Sequence, residues 1–375
     1  MIPAIFEPYG FNKSRLLALM KERNVDAILL STPENVFYTT GYPCTPSAGN
    51  PILYALKNQF PLFCFIEADG RVTLCVWIGA VLHGVQYAAD HIEMYIDKKG
   101  GIETLKNFFV GRDLDGKTIG VESGCPYFAV RLIEDNTTPG GLVVIDDIMQ
   151  SLRLIKSPRE VEMILQCTKI AEATFSELAG IIKPGITRPD LIQEAKYRMI
   201  KNGATGIGHV TISFGTSNPE VSIEEKLETD KLVAIDIGPV FNGYAADIRR
   251  HVYTGAVPER LARLYSTMCG IVKEIGRLSV PGTTAKELHE RALKLYEEND
   301  LPPYIINVGH SIGLQTEEVW LYNGTDLTLK PGMVINIELY TSYDEGVEIG
   351  DEETYLITEN ETMQLTSLPL DIITV

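Results

Sequence analysis

The sequence predicts an α+β protein of two domains, an α/β unit over residues 1–152 and a second unit over 153–375 built from two related halves. Three observations carry that reading. At 375 residues the chain is too long for one ordinary core. Its first part alternates helix-like and strand-like patterns at short intervals. Its second part contains a repeat: Pro184-Gly185-Ile-Thr-Arg-Pro-Asp-Leu-Ile-Gln-Glu-Ala195 is answered by Pro281-Gly282-Thr-Thr-Ala-Lys-Glu-Leu-His-Glu-Arg-Ala292. Each copy reads as a turn, a threonine cap and an amphipathic helix; the sharper reading is two halves with a site between them, the alternative a helix-start pattern shared by chance.

In chain order, residues 13–24 have helical periodicity and 26–31 read as a buried strand. Residues 60–66 and 72–78 read as strands joined at Ala68-Asp69-Gly70, a hairpin signal. Residues 118–122 and 142–146 are further strands. The domain boundary falls in 151–160. There Ser157 can cap a helix, with Pro158 in its first turn and Val161, Ile164, Cys167, Ile170 and Ala171 along it. Downstream, 232–238 is a strand, Asn242-Gly243 a tight turn and 245–253 the return strand. Residues 333–340 read as another strand, Asp344-Glu345-Gly346 as its turn, and Glu352 as the lead into 354–358.

Apolar residues make up 45% and charged residues 22%, the balance of an ordinary soluble protein. The net charge of −17 argues against nucleic acid and anionic membrane surfaces as partners, since phosphate binding needs a basic face. No apolar run approaches a membrane span, and the opening MIPAIFEPYGF lacks the basic-then-apolar order of a signal peptide. Cys44, Cys64, Cys75, Cys125, Cys167 and Cys269 form no Cys-x-x-Cys pair, so neither a zinc ribbon nor a disulfide scaffold is expected. Buried free thiols in a reducing compartment fit, and the expectation is a cytoplasmic protein.

Asp236, Asp247, His310, Glu338 and Glu352 stand in or beside apolar or glycine-rich segments. Burying an unpaired charge is very costly, and no Lys or Arg cluster lies beside all of them. Two divalent cations would balance four carboxylates. Oxygen donors with one imidazole suit Mn, Co, Fe or Zn. With a turn near residue 242, Asp236 and Asp247 come to lie opposite or one diagonal apart on one sheet face. Residues 338 and 352 are symmetric about 345, so a second hairpin would present two more acids, and His310 would complete the set. Taken singly, each acid reads more readily as a surface or turn residue and His310 as a satisfied core or loop histidine.

On these motifs the chain resembles the creatinase and methionine-aminopeptidase superfamily, the pita-bread metallopeptidases, and most of all its Xaa-Pro dipeptidase (prolidase) and aminopeptidase P branch. The resemblance rests on Pro33-Glu-Asn-Val-Phe-Tyr-Thr-Thr-Gly-Tyr42 and Leu152-Arg-Leu-Ile-Lys-Ser-Pro-Arg-Glu-Val161. It also rests on Ile235-Asp-Ile-Gly238, Gly243-Tyr-Ala-Ala-Asp247, Gly309-His310, Asn336-Ile-Glu338 and Glu352. It implies a creatinase-type N-terminal domain, a pseudo-twofold pita-bread catalytic domain and a homodimer. It also implies two divalent ions (Mn, Co, Zn or Fe), Asp236 and Asp247 on one, His310 and Glu338 on the other, and Asp247 and Glu352 as bridges. A bridging hydroxide would attack an amide carbonyl in a small peptide, with Glu338 as acid/base.

The chain departs from that pattern at three places. Ser222 and Glu317 stand where peptidase members carry substrate-pocket histidines, and Gly350 stands where an Arg is common. Glu317 is therefore a candidate pocket residue, and His209 and His251 are candidate replacements for the missing imidazoles. Tyr244 and Tyr340 read as packing or supporting groups, and Trp320, close to Glu317, as core packing with a pocket-shaping role as the alternative. Three readings stay open: an Xaa-Pro peptidase, a hydrolase of a small non-peptide amide or ring such as creatine- or ectoine-like compounds, and a silent binding module.

Overall fold

A computed structural model describes residues 5–45, 52–81, 85–215, 224–302 and 307–375. The chain divides into two compact units, Met1–Arg153 and Leu154–Val375. In the first, strands β1 (Ala27–Leu30), β2 (Phe63–Glu67), β3 (Val72–Trp77), β4 (His91–Tyr95), β5 (Thr118–Val121) and β6 (Gly141–Val144) form one sheet in the order β4-β3-β2-β1-β5-β6. β1, β2 and β3 pair antiparallel and the remaining neighbours parallel. β1 is buried at every position, as its apolar run requires in mid-sheet. Gly70, at φ +87°, makes the β2–β3 turn. The strand expected to reach Asp146 stops at Val144. Asp146 instead opens the helix Asp146–Leu154, where a carboxylate in the first turn favours the helix dipole. All six cysteines are free; five are buried and Cys125 is partly exposed.

In the second unit the helix Pro158–Ala179 begins at a capping box of Ser157 and Glu160, with proline in the first turn, as the spacing predicts. The sequence repeat is a structural repeat. Thr187 caps Arg188–Lys201 and Thr284 caps Ala285–Glu298. Gly185 and Gly282 take φ +93° and +94°, and their amides donate to Leu227 O (2.7 Å) and Leu329 O (2.9 Å). Each half buries its own core, one around Phe175, Leu191 and Ile235, the other around Met268, Leu288 and Ile337.

The first half carries β7 (Gly206–Phe214), β8 (Leu232–Phe241), β9 (Tyr244–Ala245) and β10 (Ile248–Tyr253), with β8 antiparallel to the other three. The second carries β11 (Gly309–Ser311), β12 (Val319–Trp320), β13 (Val334–Asp344) and β14 (Val347–Ile357), with β13 between β11 and β14. Two expectations change. The return strand over 245–253 is broken at Ala246-Asp247, beside a bulge of β8 at Gly238/Pro239, where proline has no amide to continue a ladder. The second hairpin is longer than its apolar runs suggest, so Glu352 lies inside β14 rather than ahead of it. Arg250, fully buried on β10, links the two hairpins: Nη1 donates to Glu352 O at 2.8 Å, and the guanidinium pairs with Asp351 and Glu353.

Candidate metal centre

Asn242 and Gly243 take φ +49° and +95°, both positive as a type I′ turn demands. The resulting register sets Asp236 opposite Arg249, so Asp247 sits one diagonal from Asp236 on the same face. In the second hairpin Gly346 turns the chain at φ +74°, and Glu338 stands directly opposite Glu352. His310 on β11 opposes Asn336, two residues from Glu338 on the same face. Its Nε2 lies 3.6 Å from Asp247 Oδ2 and 3.4 Å from Glu338 Oε2. Gly309 makes this approach possible: at φ +134°, an added Cβ would stand 1.9 Å from Asn336 O.

Support comes from the same strands. The Tyr340 hydroxyl lies between Glu338 Oε1 and Glu352 Oε1, 2.5 Å from the latter. Asn336 Nδ2 donates to Glu352 Oε2 at 3.3 Å and is itself held by the Thr354 hydroxyl through its Oδ1 at 3.1 Å. The Arg249 guanidinium lies over the Tyr340 ring, 4.4 Å from its centroid.

Burial, then the Asp247 charge, pushes the Asp236 and Glu352 carboxyls up. Burial would do the same to Asp247, but His209 and His310 outweigh it and hold that carboxyl low. Burial opposes a charge on either imidazole. Asp247 and Glu338 nevertheless raise His310 to about 10, and Asp247 and Asp236 hold His209 well above its ordinary value. One tyrosine hydroxyl has one proton and donates to one carboxylate, so the second contact needs either a proton on the raised Glu352 carboxyl or a cation beside the pair.

A divalent ion fits these donors. Asp247 Oδ1 and His310 Nε2 are buried without a well-formed hydrogen bond, although His209 Nε2 stands 3.1 Å from the former and the Glu338 carboxylate 3.4 Å from the latter. His310 Nδ1 faces Ser311 O at 3.3 Å, the arrangement that frees Nε2 as a ligand. Carboxylate oxygens with imidazole suit Mn, Co, Fe or Zn.

The remaining predicted residues divide. His209 on β7 reaches the centre: its Nε2 lies 2.8 Å from Asp236 Oδ1 and 3.1 Å from Asp247 Oδ1. Among the described residues, donor atoms of His209, Asp236 and Asp247 all fall within 4.8 Å of one another. Glu317 is exposed on the loop after β11. Partial burial, with Glu338 and Asp247 adding and His310 opposing, raises its carboxyl. Its neighbour Glu318 is anchored on the buried Lys156 at 3.1 Å. Ser222 lies outside the described residues. Gly350 faces Tyr340 across the ladder, where a Cβ would stand 2.0 Å from Leu339 O.

His251 does not join the centre. It is buried edge-on to Tyr265 (ring centroids 5.5 Å), with Arg249 and Arg250, not acids, as its charged neighbours. Tyr244 supports the fold through Glu160 at 3.0 Å, and Trp77 packs on Phe60. Trp320, expected in the core, is 38% exposed and stands edge-on to His310, whose strand it pairs. Tyr340 takes the supporting place expected of it, whereas sequence reading gave no role to Asn336 or Arg249. The usable signal was spacing, two residues along the chain from Glu338 or Asp247.

Comparison with known proteins gives the family. The model of metallopeptidase family M24 matches residues 162–359, and that of the creatinase/prolidase N-terminal domain matches 13–155. The chain belongs to metallopeptidase family M24. It is a hydrolase of the prolidase-type, two-domain creatinase-like fold. It is 28% identical to an Xaa-Pro dipeptidase of Pyrococcus furiosus over 369 residues, covering 96% of this chain and 98% of that one. It is 26% identical to an Xaa-Pro dipeptidase of Pyrococcus horikoshii over 368 residues, covering 96% and 97%. Among solved structures it matches the prolidase of P. horikoshii at TM-score 0.81 and 23% identity, covering 95% and 98%. It matches the X-Pro aminopeptidase of Thermotoga maritima at TM-score 0.81 and 23% identity, covering 97% and 99%. These two structural matches speak for the fold. Like other members of a metallopeptidase family, this one calls for divalent metal, and no described helix is long and apolar enough to cross a membrane.

Proposed function

We propose that this M24 chain is a dinuclear metal-dependent hydrolase of Xaa-Pro dipeptides, with Asp236, Asp247, His310, Glu338 and Glu352 as the metal ligands. The observation that carries this reading is the registered pairing of two acid-bearing hairpins around His310. The named dipeptidase relatives, matched nearly end to end, support the substrate class. Two divalent ions held there would acidify water and polarise the scissile carbonyl.

The residues do the rest. Glu338, poised between His310 and the Tyr340 hydroxyl, accepts the proton of the attacking water and returns it to the leaving nitrogen. Tyr340 and Asn336 fix the two glutamates, and Arg250 fixes the backbone of β14 beneath them. The test is hydrolysis of Xaa-Pro dipeptides and tripeptides by metal-loaded protein, with Glu338→Gln as control. Fully loaded protein that cleaves none of them refutes the reading. A homodimer belongs to the same proposal and is read from the mass in solution.

One observation favours a second reading. Glu317 brings a further negative charge toward the centre, and position 350 has no side chain to supply a compensating cation. A substrate without a free carboxylate, such as a small neutral or cationic amide, suits that field. Turnover of such amides with silence on dipeptides would decide for it.

A further inference from the structure

We propose that His209 is itself a metal ligand, so that each ion of the centre receives one imidazole, His209 beside Asp236 and His310 beside Glu338. The inference rests on the metal-centre reading above and concerns a residue outside the five expected ligands.

The first support is distance. Donors about 2.1 Å from a common ion stand about 3.0 Å apart at octahedral angles and about 3.4 Å apart at tetrahedral ones. His209 Nε2 lies 2.8 Å from Asp236 Oδ1 and 3.1 Å from Asp247 Oδ1. The second is room made for the ring. His209 faces Gly238 across the β7–β8 ladder, and a Cβ on Gly238 would stand 2.3 Å from His209 Cε1 and 2.7 Å from Ala246 O. The bare α-carbon two residues after Asp236 is what lets the imidazole lie over the strand toward both aspartates.

The third is topology. His310 opposes the residue two before its acid, Glu338, whereas His209 opposes the residue two after its acid, Asp236. Each half of the domain thus offers one imidazole from the strand flanking its acid-bearing strand, by opposite diagonals. Direct superposition of the two repeats sets His310 against Ser213, which is why the pairing is not visible in the sequence. A nitrogen donor on both ions shifts preference from Mg and Ca toward Zn, Co and Fe.

The experiment loads the full-length protein, labelled with nitrogen-15 histidine, with cadmium-113. Only a nitrogen bonded to cadmium is split by it. The expected spectrum has two split Nε2 resonances. His209→Gln removes one, keeps that of His310, and weakens binding of one zinc ion at least about tenfold in a zinc titration. Gly238→Ala, which leaves the imidazole in the chain, removes the same splitting should His209→Gln misfold. A split His310 beside an unsplit His209 overturns this inference and leaves the metal centre standing. No splitting at either residue overturns both.

Discussion

Gly309 is the position at which one methyl group should cost the most function. In Gly309→Ala the new Cβ would stand 1.9 Å from Asn336 O and 2.9 Å from Asn336 C, where real contacts stay above 3.0 Å, and alanine would have to hold φ +134°. β11 must therefore draw back from β13 by about 1 Å, carrying His310, the next residue, with it. The backbone strain costs about 1–3 kcal/mol and the forced contact about 1–3 more. A shift of about 1 Å in a reacting constellation costs about 10²-fold in rate. The assay pairs kcat/KM on an Xaa-Pro dipeptide with metal content and melting temperature. The expected result is a loss of about 10²-fold together with weaker retention of metal and a lower Tm. A variant with wild-type metal content and activity within about threefold would refute the claim that the approach of β11 to Asn336 positions His310.

Four further outcomes follow. Stripping metal should lower Tm by about 5–10 °C if ions near 100 Kd contribute about 2.7 kcal/mol, read by scanning calorimetry with and without chelator. Lys156→Met leaves Glu318 charged and buried (side chains 1% and 5% exposed) and should cost about 3–5 kcal/mol in urea unfolding, whereas Lys156→Met with Glu318→Leu should recover most of it. Tyr340→Phe removes the one hydroxyl between Glu338 and Glu352, so it should destabilise the metal-free protein by about 1–3 kcal/mol and the loaded protein by clearly less. Burial, then Arg249 and Arg250, pushes His251 well below its ordinary value, with Tyr265 the ring packed on it. The unfolded chain therefore takes up a proton below about 6.5 that the fold refuses, and stability falls as pH drops from there. His251→Phe should flatten that acid limb in melts between about pH 6.5 and 5.

Most of the fold was legible because its signals are local. The Ser157–Pro158 cap, the Thr187 and Thr284 caps and the Asn242-Gly243 turn each follow from a few neighbouring residues. The registers at Asp236/Asp247 and Glu338/Glu352 then follow from turn positions alone. What could not be read was set by distant chain. The break at Ala246-Asp247 depends on a bulge in β8, and the exposure of Trp320 on a pairing with His310. His209 reaches Asp236 only because β7 lies against β8 in a register that no residue near 209 announces.

The facing glutamates of β13 and β14 also make the hairpin a gauge of its own assembly. A slip of one residue would turn one of the two to the opposite face of the sheet, and such a slip leaves the count of backbone hydrogen bonds nearly unchanged. Hydrogen bonding alone thus discriminates poorly between registers, whereas an ion held by both carboxylates, as proposed above, would reward a single one. Cations present during refolding would then act as proofreaders, and the yield of correctly paired chain, not only its final stability, should depend on them.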